Sequence, residues 1–225
     1  MAQNTQASTN AGRHVVILSH PGPTSFNHAI AEAYCDTVRW SGQEVVLRDL
    51  YAIRFDPVLK AVERPGPGHP HPLRDVADEL EIIRRSDVFV LIYPIWFGSA
   101  PAMLKGYIDR VLGAGVVPAD LQNQVPTSLL ANRHLLSFTT SAASDAWLDE
   151  QGQQSALKTV FDRYLQRAFG MGAASHVHFD DITEELTDAA AAHHLQNVKN
   201  EAQRICTEVA LLHSQGGSSG PTAVA

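Results

Sequence analysis

HVVILSHPGPTSFNHAI (residues 14–30) decides how this chain reads. Its first half is apolar without alternation, which is the pattern of a strand buried on both faces. Its second half brings two prolines, a glycine, Thr24, Ser25 and Asn27. A helical rhythm follows at once, with Phe26, Ala29, Ile30, Ala33, Tyr34 and Thr37 at three- and four-residue steps and Gly42 as the stop. A bare connector needs only polarity and a bend. This one also places hydroxyls and free amides at a helix start, where the positive end of the helix dipole favours an anion. Two readings of Thr24 and Ser25 stand side by side: a simple N-cap, or part of a phosphate site. His20 likewise suits either a backbone partner or an anion.

The same strand–helix rhythm continues outward. EVVLRDL (44–50), DVFVLIYP (87–94), RHLLSFTT (133–140) and SHVHF (175–179) read as four further strands. Helical spacing recurs around Val76, Leu80 and Ile83, over 100–112 with Pro101 in the first turn, from Leu157 to Ala168, and from Leu195 to Leu212. Residues 54–72 hold five prolines and read as a long loop. Apolar strands alternating with helices predict an α/β doubly wound, five-stranded parallel sheet with helices on both faces. Ligands of such sheets sit beyond the carboxyl ends of the strands. The loops 20–27, 94–99 and 140–147 should therefore converge.

Those loops carry complementary chemistry. The first has neither the Gly-rich dinucleotide fingerprint nor a Gly-Lys-Ser/Thr phosphate loop. YPIWFGSAP (93–101) sets Trp96 and Phe97 beside a strand end, suited to a flat ligand or to packing on a partner. Gly98 there permits close backbone approach. TTSAASDAW (139–147) is small and polar, and its amides can donate to the carbonyl end of a ring that gathers negative charge. Trp147 can close a stacking site or pack in the core. Taken jointly, the three loops describe a flavin nucleotide site.

Composition narrows the class. The chain has 225 residues, 44% of them apolar, and a formal net charge of −7. That balance argues against nucleic acid or an anionic membrane as partner. No apolar run approaches the roughly 18–20 residues of a membrane span. The first dozen residues do not read as a secretory signal. The two cysteines, Cys35 and Cys206, fall in helical patterns and read as small buried hydrophobes, so a reducing cytoplasm is expected. The expected organisation is a disordered head (1–12), one domain (13–213) and a disordered tail (214–225). His-containing stretches at 68–72, at His176 with His178, and at His193 with His194 place no third ligand, so no metal is expected. His194 is read as solvated or as reaching a nucleotide end. Asp109 and Arg110 read as structural ion-pair residues, and Lys105 as a residue of the sheet edge or of a partner contact.

TSFNHAIAEAY, EVVLRDLYAIRFDPV and above all YPIWFGSAPAMLKGYIDRVLGAG resemble the flavodoxin-like NAD(P)H:quinone oxidoreductase family over roughly 14–145. The resemblance implies strand order 2-1-3-4-5, a bound flavin, and a homodimer with the site at its interface. It also implies two-electron ping-pong hydride transfer from NAD(P)H to a quinone or similar flat acceptor through the flavin N5. Similarity over 24–58 points to FAD, with FMN as the alternative. By the same resemblance, His20, Thr24, Ser25, Phe26 and Asn27 hold the phosphate or pyrophosphate. Pro94, Ile95, Trp96, Phe97 and Gly98 lie against the ring and ribityl chain. Thr139, Thr140, Ser141 and Ala142 match a Thr-Thr-Gly-Gly loop, with Ser and Ala in place of two glycines. Trp96, Phe97 and Trp147 would flank the hydride-transfer site, Trp147 standing at a position where the family has a tyrosine. Alternatives on the same scaffold are an azo- or nitro-reductase, a flavin-binding regulatory subunit of a membrane transporter, and a one-electron flavodoxin carrier.

Overall fold

The computed structural model describes residues 11–64, 72–116 and 129–216. The His-containing stretch at 68–71 and both chain ends beyond those limits lie outside the described residues. Among the described residues five strands form one parallel sheet: β1 Arg13–Leu18, β2 Glu44–Asp49, β3 Val88–Pro94, β4 His134–Thr140 and β5 Ala173–Phe179. Their order is β2-β1-β3-β4-β5, as expected. β1 lies between β2 and β3, so the chain reverses direction of travel across the sheet beside it, and that is where the first loop leaves.

Apolar runs without alternation bury both faces, and the two parities divide them. Val15, Ile17, Phe89, Leu91, Tyr93 and Leu135 face a layer made by α2 (Arg74–Ile83), α3 (Ala102–Tyr107, continued by a π-helical turn Ile108–Leu112) and α5. We label as α5 the continuous run over 153–168, whose middle, Lys158–Arg163, is also π-helical. Val16, Leu18, Val90, Ile92, Leu136 and Phe138 face α1 (Phe26–Trp40) and the last helix, α6 (Asp188–Gly216). A short α4 (Asp145–Glu150) follows the third loop. Among the described residues no helix is long and apolar enough to cross a membrane.

Two expectations are adjusted and one is met. Trp147 is not in the third loop but in the first turn of α4, because Ser144 caps that helix and accepts the Trp147 N–H at 3.4 Å. The last helix runs to Gly216, so residues 214–216 of the expected tail are helical. Cys35 and Cys206 are buried thiols, as read from the helical pattern.

Candidate active site

Three loops meet at the carboxyl edge of the sheet, and hydrogen bonds tie them together. Asn27, in the first turn of α1, donates from Nδ2 to Thr140 Oγ1 at 2.9 Å. The Ile95 N–H donates to the Thr140 carbonyl at 2.7 Å. Thr140, at the end of β4, thus joins the first and second loops. The His20 ring lies 5.8 Å from that of Trp96, centroid to centroid. The convergence expected from the strand order is present.

The first loop is built to leave donors open. Ser25 holds the N-cap position with extended backbone, yet no side chain caps the helix. Its hydroxyl instead meets His28 Nδ1 at 2.8 Å, and His28 Nε2 reaches Asp49 at 3.1 Å. The simple N-cap reading of Thr24 or Ser25 is therefore not realised, and Thr24 is exposed. The Phe26 and Asn27 amides have no intramolecular acceptor. Asn27 is buried, and its Oδ1 has no hydrogen-bond partner. Unpaired polar atoms at a helix start are costly unless something binds there. His20 Nδ1 accepts the Gly22 N–H at 3.0 Å, and partial burial pulls the His20 pKa down. It is a neutral ring that shapes the turn.

The second loop is a hairpin. Trp96 and Ser99 exchange backbone hydrogen bonds at 3.0 and 3.1 Å, while Phe97 and Gly98 turn the corner at φ +49° and +78°. Two successive positive φ values are the geometry of a type I′ turn. Glycine takes it freely, but a phenylalanine there is strained. Phe97 is fully exposed at the tip, and Trp96 is 40% exposed. Gly98 has a second reason to lack a side chain, since a Cβ would collide with the Gln153 amide. Gln153, at the start of α5, thus covers the second loop. Nothing in its local sequence marked it.

The third loop spends part of its donor capacity internally. Thr139 and Thr140 lie within the β4–β5 ladder, and the Ser141 N–H donates to the Phe179 carbonyl at 3.0 Å. The Ala142 and Ala143 amides have no intramolecular partner. Neither Ser141 nor Ala142 has positive φ, so the exchange of two glycines for Ser and Ala strains nothing. Trp147 is about half exposed on α4 beside this loop.

Behind the loop lies a polar stripe that sequence analysis read only as a histidine pair. The register sets Ser137 against His176 and Thr139 against His178. The Ser137 hydroxyl donates to Asp162 Oδ1 at 2.8 Å, and His176 Nδ1 meets Asp162 Oδ2. Thr139 Oγ1 lies 2.7 Å from both His176 Nε2 and His178 Nδ1. His178 Nε2 lies 3.0 Å from Ser141 Oγ, which donates to the Ala143 carbonyl at 2.6 Å. Burial, then the neighbouring His176, lowers the His178 pKa to about 4. Asp162 escaped notice because its helical pattern continues past it; only the π-helical turn aims it inward. His194 is half-buried rather than solvated, its ring set edge-on to Phe26 and Phe179 at 6.1 and 5.1 Å. Among the described residues no group of three His, Cys, Asp or Glu is placed to hold a metal.

The orphaned Asn27 oxygen, the uncapped α1 terminus, the exposed aromatic hairpin and the free Ala142 and Ala143 amides fit a flat, phosphorylated ligand. Residues 12–202 match the family described as flavodoxin-like fold. An NAD(P)H oxidoreductase of Haemophilus influenzae is 32% identical over 170 residues, covering 75% of this chain and 84% of its own. The NAD(P)H dehydrogenase (quinone) 1 of Cavia porcellus is 31% identical over 121 residues, 46% of this chain and 44% of the relative. Among solved structures, an NAD(P)H:quinone oxidoreductase from Methanothermobacter marburgensis superposes with TM-score 0.72 at 20% identity, covering 87% of this chain and 96% of that one.

Proposed function

Starting from the fact that this chain belongs to the flavodoxin-like fold family, within its NAD(P)H:quinone oxidoreductases, we propose that it reduces quinones or similar flat acceptors by two electrons from NAD(P)H on a bound flavin. That it is an oxidoreductase follows from the family; the flavin and the acceptor are our reading of the site. The flavin, FAD in this reading and FMN in its place if the adenylate end is not held, would accept and pass on the hydride. The observation that carries the reading is the junction at Thr140, which brings an anion-ready helix start and an aromatic hairpin to one rim.

The residues divide the work. The α1 terminus, with Thr24, Ser25, Phe26 and Asn27, would hold the phosphate, and the neutral His20 ring would flank it. Pro94, Ile95, Trp96, Phe97 and Gly98 would line the ring and shelter it from water, with Trp147 closing the opposite side. The Ala142 and Ala143 amides would offset negative charge gathering at the ring's carbonyl end, beside Thr139, Thr140 and Ser141. Donor and acceptor would occupy the same place in turn, which makes the kinetics ping-pong.

A second copy of the chain would complete the site. Leu59, Val160 and Tyr164 line an apolar groove of about 330 Å³, and Val160 and Tyr164 are 68% and 58% exposed. Large side chains on an open groove favour a covering partner. The decisive experiment is optical. Purified protein should be yellow, and anaerobic NADH or NADPH should bleach it, with a quinone restoring the colour. A colourless protein that takes up neither added FAD nor added FMN overturns the reading.

A further inference from the structure

The geometry points to a one-proton relay beneath the third loop, running Asp162–His176–Thr139–His178–Ser141, that takes up a proton when negative charge arrives at the loop and yields it to the acceptor. The inference rests on the proposed flavin chemistry for its purpose, and on hydrogen-bond geometry alone for its existence.

Donor counting shows why the chain can hold a proton. An ionised carboxylate only accepts, so His176 must present Nδ1–H to Asp162. Thr139 has one hydrogen and faces two imidazole nitrogens, each 2.7 Å away. With Asp162 ionised, the links can be filled in one arrangement that leaves both rings neutral and in two that hold one extra proton, on His178 or on His176; the neutral arrangement and the one charged at His176 are the two ends of the relay. In the first, Thr139 donates to His176 Nε2, His178 donates from Nδ1 to Thr139, and Ser141 donates to His178 Nε2. Both rings are then neutral. In the second, His176 is cationic and donates from Nε2 to Thr139, Thr139 donates to His178 Nδ1, and His178 Nε2–H donates to Ser141. Ser141 is then free to donate to the Ala143 carbonyl, the contact of 2.6 Å. The second arrangement holds one proton more than the first.

Passage between them is a hop at each link. A proton arriving at His178 Nε2 displaces the Nδ1 proton to Thr139, whose own proton moves to His176 Nε2. The added charge comes to rest against Asp162, away from the loop. The side chains of His176, His178 and Asp162 are 8%, 5% and 6% exposed, so water does not short-circuit the chain. Asp145, about half exposed, lies 3.6 Å from His178 Nε2 and offers the entry from solvent. Burial and the nearby Asp180 and Asp149 raise its pKa, as suits a carboxyl that trades protons. The other charged or titratable groups facing the chain are Asp180 and Lys158 near His178, and the buried Tyr93, whose hydroxyl has no partner, near Asp162.

One proton is also what the chemistry consumes. Two-electron reduction of a quinone turns NAD(P)H, one proton and the acceptor into NAD(P)⁺ and the dihydro-acceptor. The hydride comes from the donor and the proton from the relay, which Asp145 reloads from solvent. The relay thus moves proton uptake to the first half-reaction, before the acceptor binds.

Two measurements test this. In cofactor-free protein, ¹⁵N NMR of labelled histidines should show His176 and His178 titrating as one coupled pair. Thr139→Val should split them into two independent titrations, and Thr139→Ser, which keeps the hydroxyl, should restore the coupling. Independent titration in the wild type, or coupling that survives Thr139→Val, overturns the relay. In the loaded enzyme, an indicator dye in weakly buffered anaerobic solution should report about one proton taken up per flavin on mixing with NADPH. Thr139→Val should lose that uptake to the later, acceptor-dependent phase, and Thr139→Ser should regain it. No early uptake in the wild type, or unchanged uptake in Thr139→Val, overturns it. If Thr139→Val does not fold, His178→Gln replaces it with the same expectations for uptake. A wild type that holds no flavin defeats the proposed function, while the NMR arm still judges the relay.

Discussion

Asn27 is the residue on which the site turns, because one side chain holds the helix start to the third loop and leaves an oxygen unpaired. Asn27→Ala removes the 2.9 Å bond to Thr140 and frees a buried hydroxyl. A lost buried hydrogen bond costs about 1–3 kcal/mol, so flavin affinity should fall roughly tenfold to a hundredfold, read by fluorescence titration. Phe97 makes the opposite case. Its φ of +49° is strained and its ring touches solvent, so Phe97→Gly should stabilise the cofactor-free protein by about 1 kcal/mol while slowing turnover. Thermal melting and steady-state rates report the two effects separately. A proton at a buried ring sets the acid limit. Burial lowers His14 to about 4, and unfolding returns the ring to its usual value near 6.5. The unfolded chain therefore binds a proton that the native one refuses. The stability this ring contributes is full above about pH 6.5 and drains away as pH falls toward 4, by roughly 3 kcal/mol at the limit. Urea unfolding at pH 7 and pH 5 checks the sign.

At the scale of elements, α3 is pinned to the proline-rich loop by one glycine and one arginine. A Cβ on Gly106 would meet the Pro57 backbone, so the helix and the loop touch directly. The Arg110 side chain, 1% exposed, bonds Glu63, Asp75 and the Asp56 carbonyl and lies over the Phe55 ring. The expected structural role of Arg110 is thus met, though its partners come from the loop and α2 and not from its own helix. Asp109 pairs with Lys105 along α3, so that lysine does not cap the sheet edge; it lines the groove proposed for the partner. Glu63 is almost fully buried, and Arg110→Ala would strand its charge. Removing one partner of a buried pair costs about 3–5 kcal/mol, and chemical denaturation should show it. Proteolysis should then cut first within 54–64. The sequence pattern marked α3 as a helix, but its π-helical end, which turns Arg110 inward, has no periodic signature that distinguishes it from ordinary helix.

For the molecule as a whole, the exposed groove at Leu59, Val160 and Tyr164 leads us to expect a dimer in sedimentation velocity, and Val160→Glu with Tyr164→Glu to yield monomers. The strand order, the two-faced core and the three-loop rim follow from features local in the chain. Unbroken apolar runs demand burial on both faces, and parallel strands joined by helices leave few ways to arrange them. The residue types at the loops were likewise legible at His20, Asn27, Trp96 and Thr140. The partners of those residues were not. That Ser25 turns to His28 instead of capping α1, that Gln153 covers Gly98, and that Asp162, His176, Thr139 and His178 form one chain all depend on contacts between segments far apart in sequence. Local propensity and periodicity report which way a side chain faces relative to its own element. They carry no information about which atom of another element arrives opposite it, because that is set by strand register and helix packing once the core has closed.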